Sequence, residues 1–209
     1  ANYFGKMYQP RYLSGLAAGA MTDSNKIGYV AAFPIPEVIR GINAFAAGVN
    51  EVNPDATVEV VWTFTWFGPE AETQAANALL ETGADVLAQH QDSTATGLAA
   101  EAAGAKWISY NTAYGKDSAP EAFVTAPVWD WGPYYVDIVE SIIDGTFSTE
   151  SYWGGMETGL VSLYDLSSDV PSDIATLIGE KTDAIIDGTL EVEIVEEEFI
   201  SNVIGTVNP

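Results

Sequence analysis

Short apolar runs alternate with amphipathic stretches at intervals of roughly 30 residues in this chain, the cadence of strand–helix–strand units. Ile27 to Phe33 reads as a strand, closed by Pro34-Ile35-Pro36. From Glu37, the spacing of Val38, Ile39, Ile42, Phe45 and Val49 predicts a helix that stops before Asn53-Pro54. A second strand is expected over Thr57 to Phe64. A helix then opens at Pro69, a favoured first-turn residue, and ends at Gly83. Asp85 to Gln89 and Lys106 to Tyr110 read as strands around a helix from Thr96 to Ala103, and a helix over Tyr3 to Met21 precedes them all. Repeated strand-plus-helix units of this length read as right-handed βαβ crossovers and hence a parallel sheet. The fold class is therefore α/β: a parallel sheet with helices on both faces.

After Gly115 the cadence loosens. Ala122 to Thr125 reads as a strand and Gly132 to Ile143 as a helix stopped by Asp144-Gly145. Gly159 to Leu163 and Thr189 to Val195 read as strands flanking a helix from Ser172 to Asp187. In the last strand Val192 and Ile194 are expected to point inward and Glu191 and Glu193 outward, with Glu196-Glu197-Glu198 forming a solvated edge.

Composition removes several function classes. Thirty acidic against seven basic side chains give a net charge of −23, and no Lys/Arg cluster exists to hold a phosphate backbone. Nucleic-acid binding is excluded on that ground, and attraction to anionic membrane surfaces is disfavoured. The charge reads mainly as a solvation device. No apolar run approaches the ~18 residues of a membrane-spanning helix. With no cysteine and a single histidine, thiol nucleophiles, disulfides and paired-imidazole mechanisms are excluded. His90 and Asp92 lack both a nucleophile and a third metal ligand, so no enzyme activity, metal or cofactor is expected.

In open α/β sheets ligands bind beyond the carboxyl ends of the strands. Here those ends carry Thr65-Trp66-Phe67-Gly68, His90-Gln91-Asp92-Ser93, Asn111-Thr112 and Val128-Trp129-Asp130-Trp131. Aromatic faces, amides and single carboxylates on one edge suit a flat heteroaromatic ligand. Trp66, His90, Asp92, Asn111 and Trp129 are the candidate binding residues. The competing reading makes the tryptophans core residues and the His90–Ser93 segment a helix-capping loop.

Tyr12-Leu13-Ser14-Gly15, Lys26-Ile27-Gly28-Tyr29-Val30, the run Pro34 to Phe45 and Gly83-Ala84-Asp85-Val86-Leu87 together resemble the basic membrane protein family, the purine- and nucleoside-binding lipoproteins of ABC importers. Val128 to Tyr135 and Tyr152-Trp153-Gly154-Gly155-Met156 are similar to the branch associated with purine bases. The resemblance spans nearly the whole chain. It implies a type I periplasmic-binding-protein fold, two Rossmann-like lobes closing on a ligand. Family members are longer, and their opening lobe precedes the segment matching Tyr3 onward, so Ala1 reads as the start of a processed or truncated chain. On this reading residues 1–115 form the second lobe, 116–150 a crossover strand and helix belonging to the first lobe, and 151–209 the return to the second.

Nucleoside-binding members carry a stacking Phe where Trp66 stands, an acid at Gly68, a ribose-holding Asp at Asn111 and a Lys near Trp129. Losing those charges shifts the expected ligand from a nucleoside towards a free base. The resemblance implies an extracytoplasmic, periplasmic or extracellular binding subunit that works with a membrane ABC permease, lipid-anchored in its full-length form. Two alternatives are a self-associating structural protein, covered where the absent lobe would sit, and a ligand-presenting sensor. With one lobe, binding of purines at only millimolar strength is expected.

Overall fold

The computed structural model describes residues 2–205. Ala1 and the last four residues of the 151–209 segment lie outside the described residues. The chain opens with β1 (Tyr3–Gly5) and α1 (Tyr8–Met21), then alternates β2 (Lys26–Ala31), α2 (Pro36–Val52), β3 (Thr57–Trp62), α3 (Pro69–Glu81), β4 (Val86–Gln89), α4 (Ala95–Ala103) and β5 (Lys106–Ile108). There follow α5 (Gly115–Ser118), β6 (Phe123–Thr125), β7 (Pro127–Trp129), α6 (Gly132–Ile143), β8 (Tyr152–Gly154), a 3-10 turn at Met156–Thr158, β9 (Val161–Leu163), α7 (Ser172–Ile186) and β10 (Val203–Ile204).

Six strands form one parallel sheet in the order β10-β3-β2-β4-β5-β6. The first strand of the run, β2, lies inside it, and the chain builds outward first through β3 and then through β4. The order therefore reverses between β2 and β4. Both strands are buried almost throughout, which is why they read as continuous apolar runs. Alternate residues split between two cores. Ile27, Tyr29, Ala31, Val86 and Ala88 join a cluster with α1, α2 and α7, while Val30 and Leu87 join one with α3 and α4. All five apolar positions predicted on the inner face of α2 are buried.

Several expectations are corrected. Tyr3 does not begin a helix. Tyr3–Gly5 is a strand paired in parallel with Tyr152–Gly154, and the helix starts at Tyr8. Thr189–Val195 is irregular: its Val195 carbonyl and that of Glu198 accept bonds from Asn43 Nδ2 instead of a strand ladder. Val192 is buried, whereas Ile194 stays 41% exposed. The closing strand is Val203–Ile204, which pairs with β3. Finally, β6 lies in the main sheet beside β5, held by Phe123 edge-on against Trp107. The departure from this sheet thus comes after Thr125, not at residue 116. Beyond it, β7 pairs antiparallel with β9, and no residue of α6 is buried.

Helices α1 and α2 approach closely enough for backbones to touch. A Cβ on Gly48 would stand 2.1 Å from the Tyr12 carbonyl oxygen, and one on Gly15 2.0 Å from that of Phe45. Neither obstacle is a flexible side chain, so a methyl group must push the helices apart. We expect Gly48→Ala to destabilise the protein by about 1–3 kcal/mol, read as a lower urea midpoint with unchanged slope. An unchanged midpoint would show that the helices are free to separate.

Candidate binding cleft at the strand ends

Because the main strands are parallel, their following loops emerge at one edge. Trp66 lies in the loop after β3, His90 and Asp92 directly after β4, Asn111 after β5, and Trp129 ends β7. The structure brings all five to one cleft of about 330 Å³, lined also by Phe4, Glu37, Tyr110 and Trp131. Glu37 and Trp66 further border an adjoining cavity of about 610 Å³ with Arg40 and Trp153.

Aromatic rings make the walls. Trp66 packs on Phe33 at a 5.1 Å centroid distance, yet remains 43% exposed. Trp129 stacks on Trp131 at 5.1 Å with 15° between planes, and Phe4 meets Trp129 edge-on at 5.4 Å. His90 lies on the floor, 4% exposed, with Tyr110 4.6 Å and Trp66 6.1 Å away. The core reading therefore fails for Trp66, and Trp129 is only partly covered.

Hydrogen bonds hold the loops in place. The Asp92 amide donates to the Trp66 carbonyl at 3.0 Å, and Gln91 Nε2 donates to Thr63 Oγ1 at 2.6 Å. Glu72, fully buried in the first turns of α3, accepts from the Gly68 amide at 2.9 Å and from Ser93 Oγ at 2.5 Å. Gln89 binds Trp107 Nε1 through its side-chain oxygen, and its amide donates to the carbonyls of Gln91 and Ser93.

Asn111 adopts the left-handed conformation, φ 68°, which Asn tolerates better than most residues. Indole nitrogen can only donate, so the oxygen of Asn111 faces Trp129 Nε1 at 3.0 Å, and its Nδ2 donates to Asp92 Oδ1 at 2.6 Å. Asn111 thus braces Trp129 against the β4 loop. Asp92 serves that brace and caps no helix; Ser93 Oγ accepts from the Ala95 amide at 3.2 Å.

Beneath the floor sits an unusual charge. Arg11 is 1% exposed, with its guanidinium 3.9 Å above the Tyr110 ring. Its Nη1 donates to the Gln89 carbonyl at 2.6 Å, while Nε and Nη2 have no hydrogen-bond partner among the described residues. His90 Nε2 stands 3.3 Å from Glu37 Oε2, and its buried Nδ1 is unpartnered. Burial, reinforced by the Arg11 charge, holds the His90 pKa well below the ordinary imidazole range. Burial also pushes the Glu37 carboxyl upward, opposed by Arg11 and Arg40, and it raises Asp92 against the effect of the Asn111 bond. The cleft can stack a planar group and offer carboxylate acceptors at its edge.

Sequence reasoning missed four lining residues. Glu37 is the first residue past the Pro34-Ile35-Pro36 strand end, so extending the strand-end rule into the first helical turn would find it. Trp131 shares a motif with Trp129, and Tyr110 ends the expected strand. Phe4 arrives through β1 and carries no local signal. Arg11 does, as the only charged residue in Tyr8–Met21.

A family model described as ABC transporter substrate-binding protein PnrA-like matches residues 1–195. The chain is 43% identical over 190 residues to a putative ABC transporter glucose-binding protein of Haloferax volcanii, covering 91% of this chain and 48% of that one. It is 39% identical over 189 residues to a purine-binding protein of Brucella abortus, covering 88% and 52% respectively. The chain thus spans about half the length of these relatives. In structure, an ABC transporter solute-binding protein from Aeropyrum pernix K1 gives a TM-score of 0.80 at 16% identity, over 93% of this chain and 66% of that one. Another, from Conexibacter woesei, gives 0.75 at 24% identity, over 92% and 65%. These likenesses show the fold, an α/β architecture of the type I periplasmic-binding-protein kind.

His90 is the only histidine, so its imidazole Hε1 gives one NMR signal to follow with pH. The unfolded chain takes up a proton near the ordinary pKa of about 6.5, whereas native His90 resists it. Its contribution should therefore lower stability as pH falls below that value. Glu37, with its carboxyl raised, acts oppositely: the native state protonates first and regains stability as pH falls through its folded pKa. We expect the His90 signal to be silent around pH 6.5 and to move only well below it. An ordinary midpoint there would mean that the floor of the cleft is wet.

Proposed function

This chain belongs to the PnrA-like family of ABC transporter substrate-binding proteins, and on that premise we propose that it captures a purine base in the Trp66–Trp129 cleft for import. The reading rests on one observation: exposed indole faces and edge carboxylates gathered at the topological reversal of a parallel sheet, where such folds bind ligands. Trp66 supplies the stacking face, the Trp129–Trp131 pair a second aromatic wall, and Asp92 a polar group at the rim. Asn111 positions Trp129, and His90 forms the floor. The protein binds its ligand without transforming it. The relative named as purine-binding supports this choice, and the missing lysine and ribose-holding aspartate favour a free base over a nucleoside.

Within a complete receptor, residues 1–125 and the return segment act as one lobe. The part from β7 through α6 reaches towards the other. Its partner is an ABC permease in the membrane, and its place is the periplasm or cell exterior, with a lipid anchor on the full-length protein. Among the described residues no helix is long and apolar enough to cross a membrane. A sugar is the second reading, favoured by the relative named as glucose-binding, since indole faces also stack on the apolar faces of sugars. Self-association is an alternative use of the lobe, favoured by the exposed Tyr135, Val136, Val139, Ile142 and Ile143 on α6.

NMR titration of the tryptophan indole signals with adenine and with glucose separates the two ligand readings. With Trp66 open to water, we expect adenine to bind at about millimolar strength, near −4 kcal/mol, and glucose to leave the signals unmoved. Trp66→Ala should weaken adenine by about 1–3 kcal/mol, the worth of one base–aromatic stack. Shifts with glucose alone would transfer the site to the sugar reading.

A further inference from the structure

Glu37 occupies a position that the stacking account does not use. The sheet order reverses between β2 and β4, and the crevice that this opens is flanked by the loop leading into α2 on one side and the end of β4 on the other. Glu37, in the first turn of α2, and His90, just after β4, meet across it at 3.3 Å. That contact is the only donor within hydrogen-bond distance of the Glu37 carboxylate among the described residues, so Oε1 is left without a protein partner. Only about a quarter of the side chain remains exposed (23%), at the junction of the two cavities.

The groups around Glu37 fix what it offers. Arg11 Nε and His90 Nδ1 both border the space that a side chain at Gly41 would fill, 3.7 and 4.0 Å from its Cβ position. The neighbouring guanidinium disfavours a proton on Nδ1, so the imidazole carries its single proton on Nε2, the nitrogen that stands 3.3 Å from Glu37 Oε2. Arg40, the other nearby cation, is engaged by Glu196 and lies 5.4 Å from the centre of the Trp153 ring. With Oε2 beside the imidazole, the carboxylate lines the cleft with no hydrogen-bond donor of the described residues engaging it, and its oxygens can only accept.

We propose that Glu37 is the specificity-determining acceptor of this cleft, selecting flat bases that present an N–H donor at the edge meeting the α2 terminus, with His90 and Arg11 as its positioning residues. The inference rests on the purine reading above. Glu37→Gln keeps the shape but alters the edge: the amide oxygen faces the His90 N–H, and the NH₂ replaces an acceptor with a donor towards the ligand.

The test titrates the chain and its Glu37→Gln and Trp66→Ala variants with adenine, hypoxanthine and 9-methyladenine. Adenine and hypoxanthine carry opposite donor–acceptor patterns on the six-membered-ring edge, and 9-methyladenine lacks the ring N–H of the other edge. We expect Glu37→Gln to change the ratio of affinities across the three by at least tenfold, with the best donor-bearing base losing most. Parallel weakening of all three, or no change, overturns the inference if Trp66→Ala still weakens every base. If Trp66→Ala leaves all three unaltered, the purine site itself is misplaced and the inference falls with it.

Discussion

Parallel pairing of the six-stranded sheet is the constraint from which the rest follows. Each strand must be re-entered from the same end, so its outgoing loop arrives at one edge regardless of its sequence. Reversal of order between β2 and β4 then parts two neighbouring loops instead of crossing a helix over both. The cleft is the gap so formed. Neither core could close it, because the strands between them are already covered on both faces by α1, α2 and α7 on one side and α3 and α4 on the other.

Two kinds of polar group meet there, and their difference is instructive. Glu72, Gln89 and Asn111 are engaged at both ends of their side chains, and each ties a loop to a neighbour. Satisfied groups of this kind rigidify a surface, so the aromatic walls stand ready before a ligand arrives. Arg11, Tyr29 and His90 keep unpartnered atoms although buried. A buried cation with one hydrogen bond and an aromatic face is costly to maintain. Burial first, and the Arg11 charge second, keep the imidazole at the cleft floor neutral.

The strand–helix cadence was legible from Lys26 to Ile108 because strands buried on both faces must be apolar throughout, and α2 must be apolar on one. Short strands gave no such signal. Tyr3–Gly5 and Tyr152–Gly154 stabilise each other across most of the chain, and Tyr3 falls in phase with the helical residues that follow it. Thr189–Val195 alternates acid and apolar residues, yet only Val192 of its apolar pair is buried, and the two-residue Val203–Ile204 takes the sheet edge. In the cleft, the strand-end rule was enough to gather Trp66, His90, Asp92, Asn111 and Trp129 in one place. It did not distinguish a wall from a brace, as Asn111 illustrates. Glu37 escaped because the rule stopped at the strand end, one residue short of its place in the first turn of α2.

The central claim is that the reversal between β2 and β4 has produced a slot for a planar base walled by tryptophan. A crystal structure of the chain with adenine tests this most directly. The account predicts the base in contact with the Trp66 indole, between the β2 and β4 loops, with an N–H edge towards Glu37. Adenine seated away from Trp66, for example along the exposed face of α6, would contradict it.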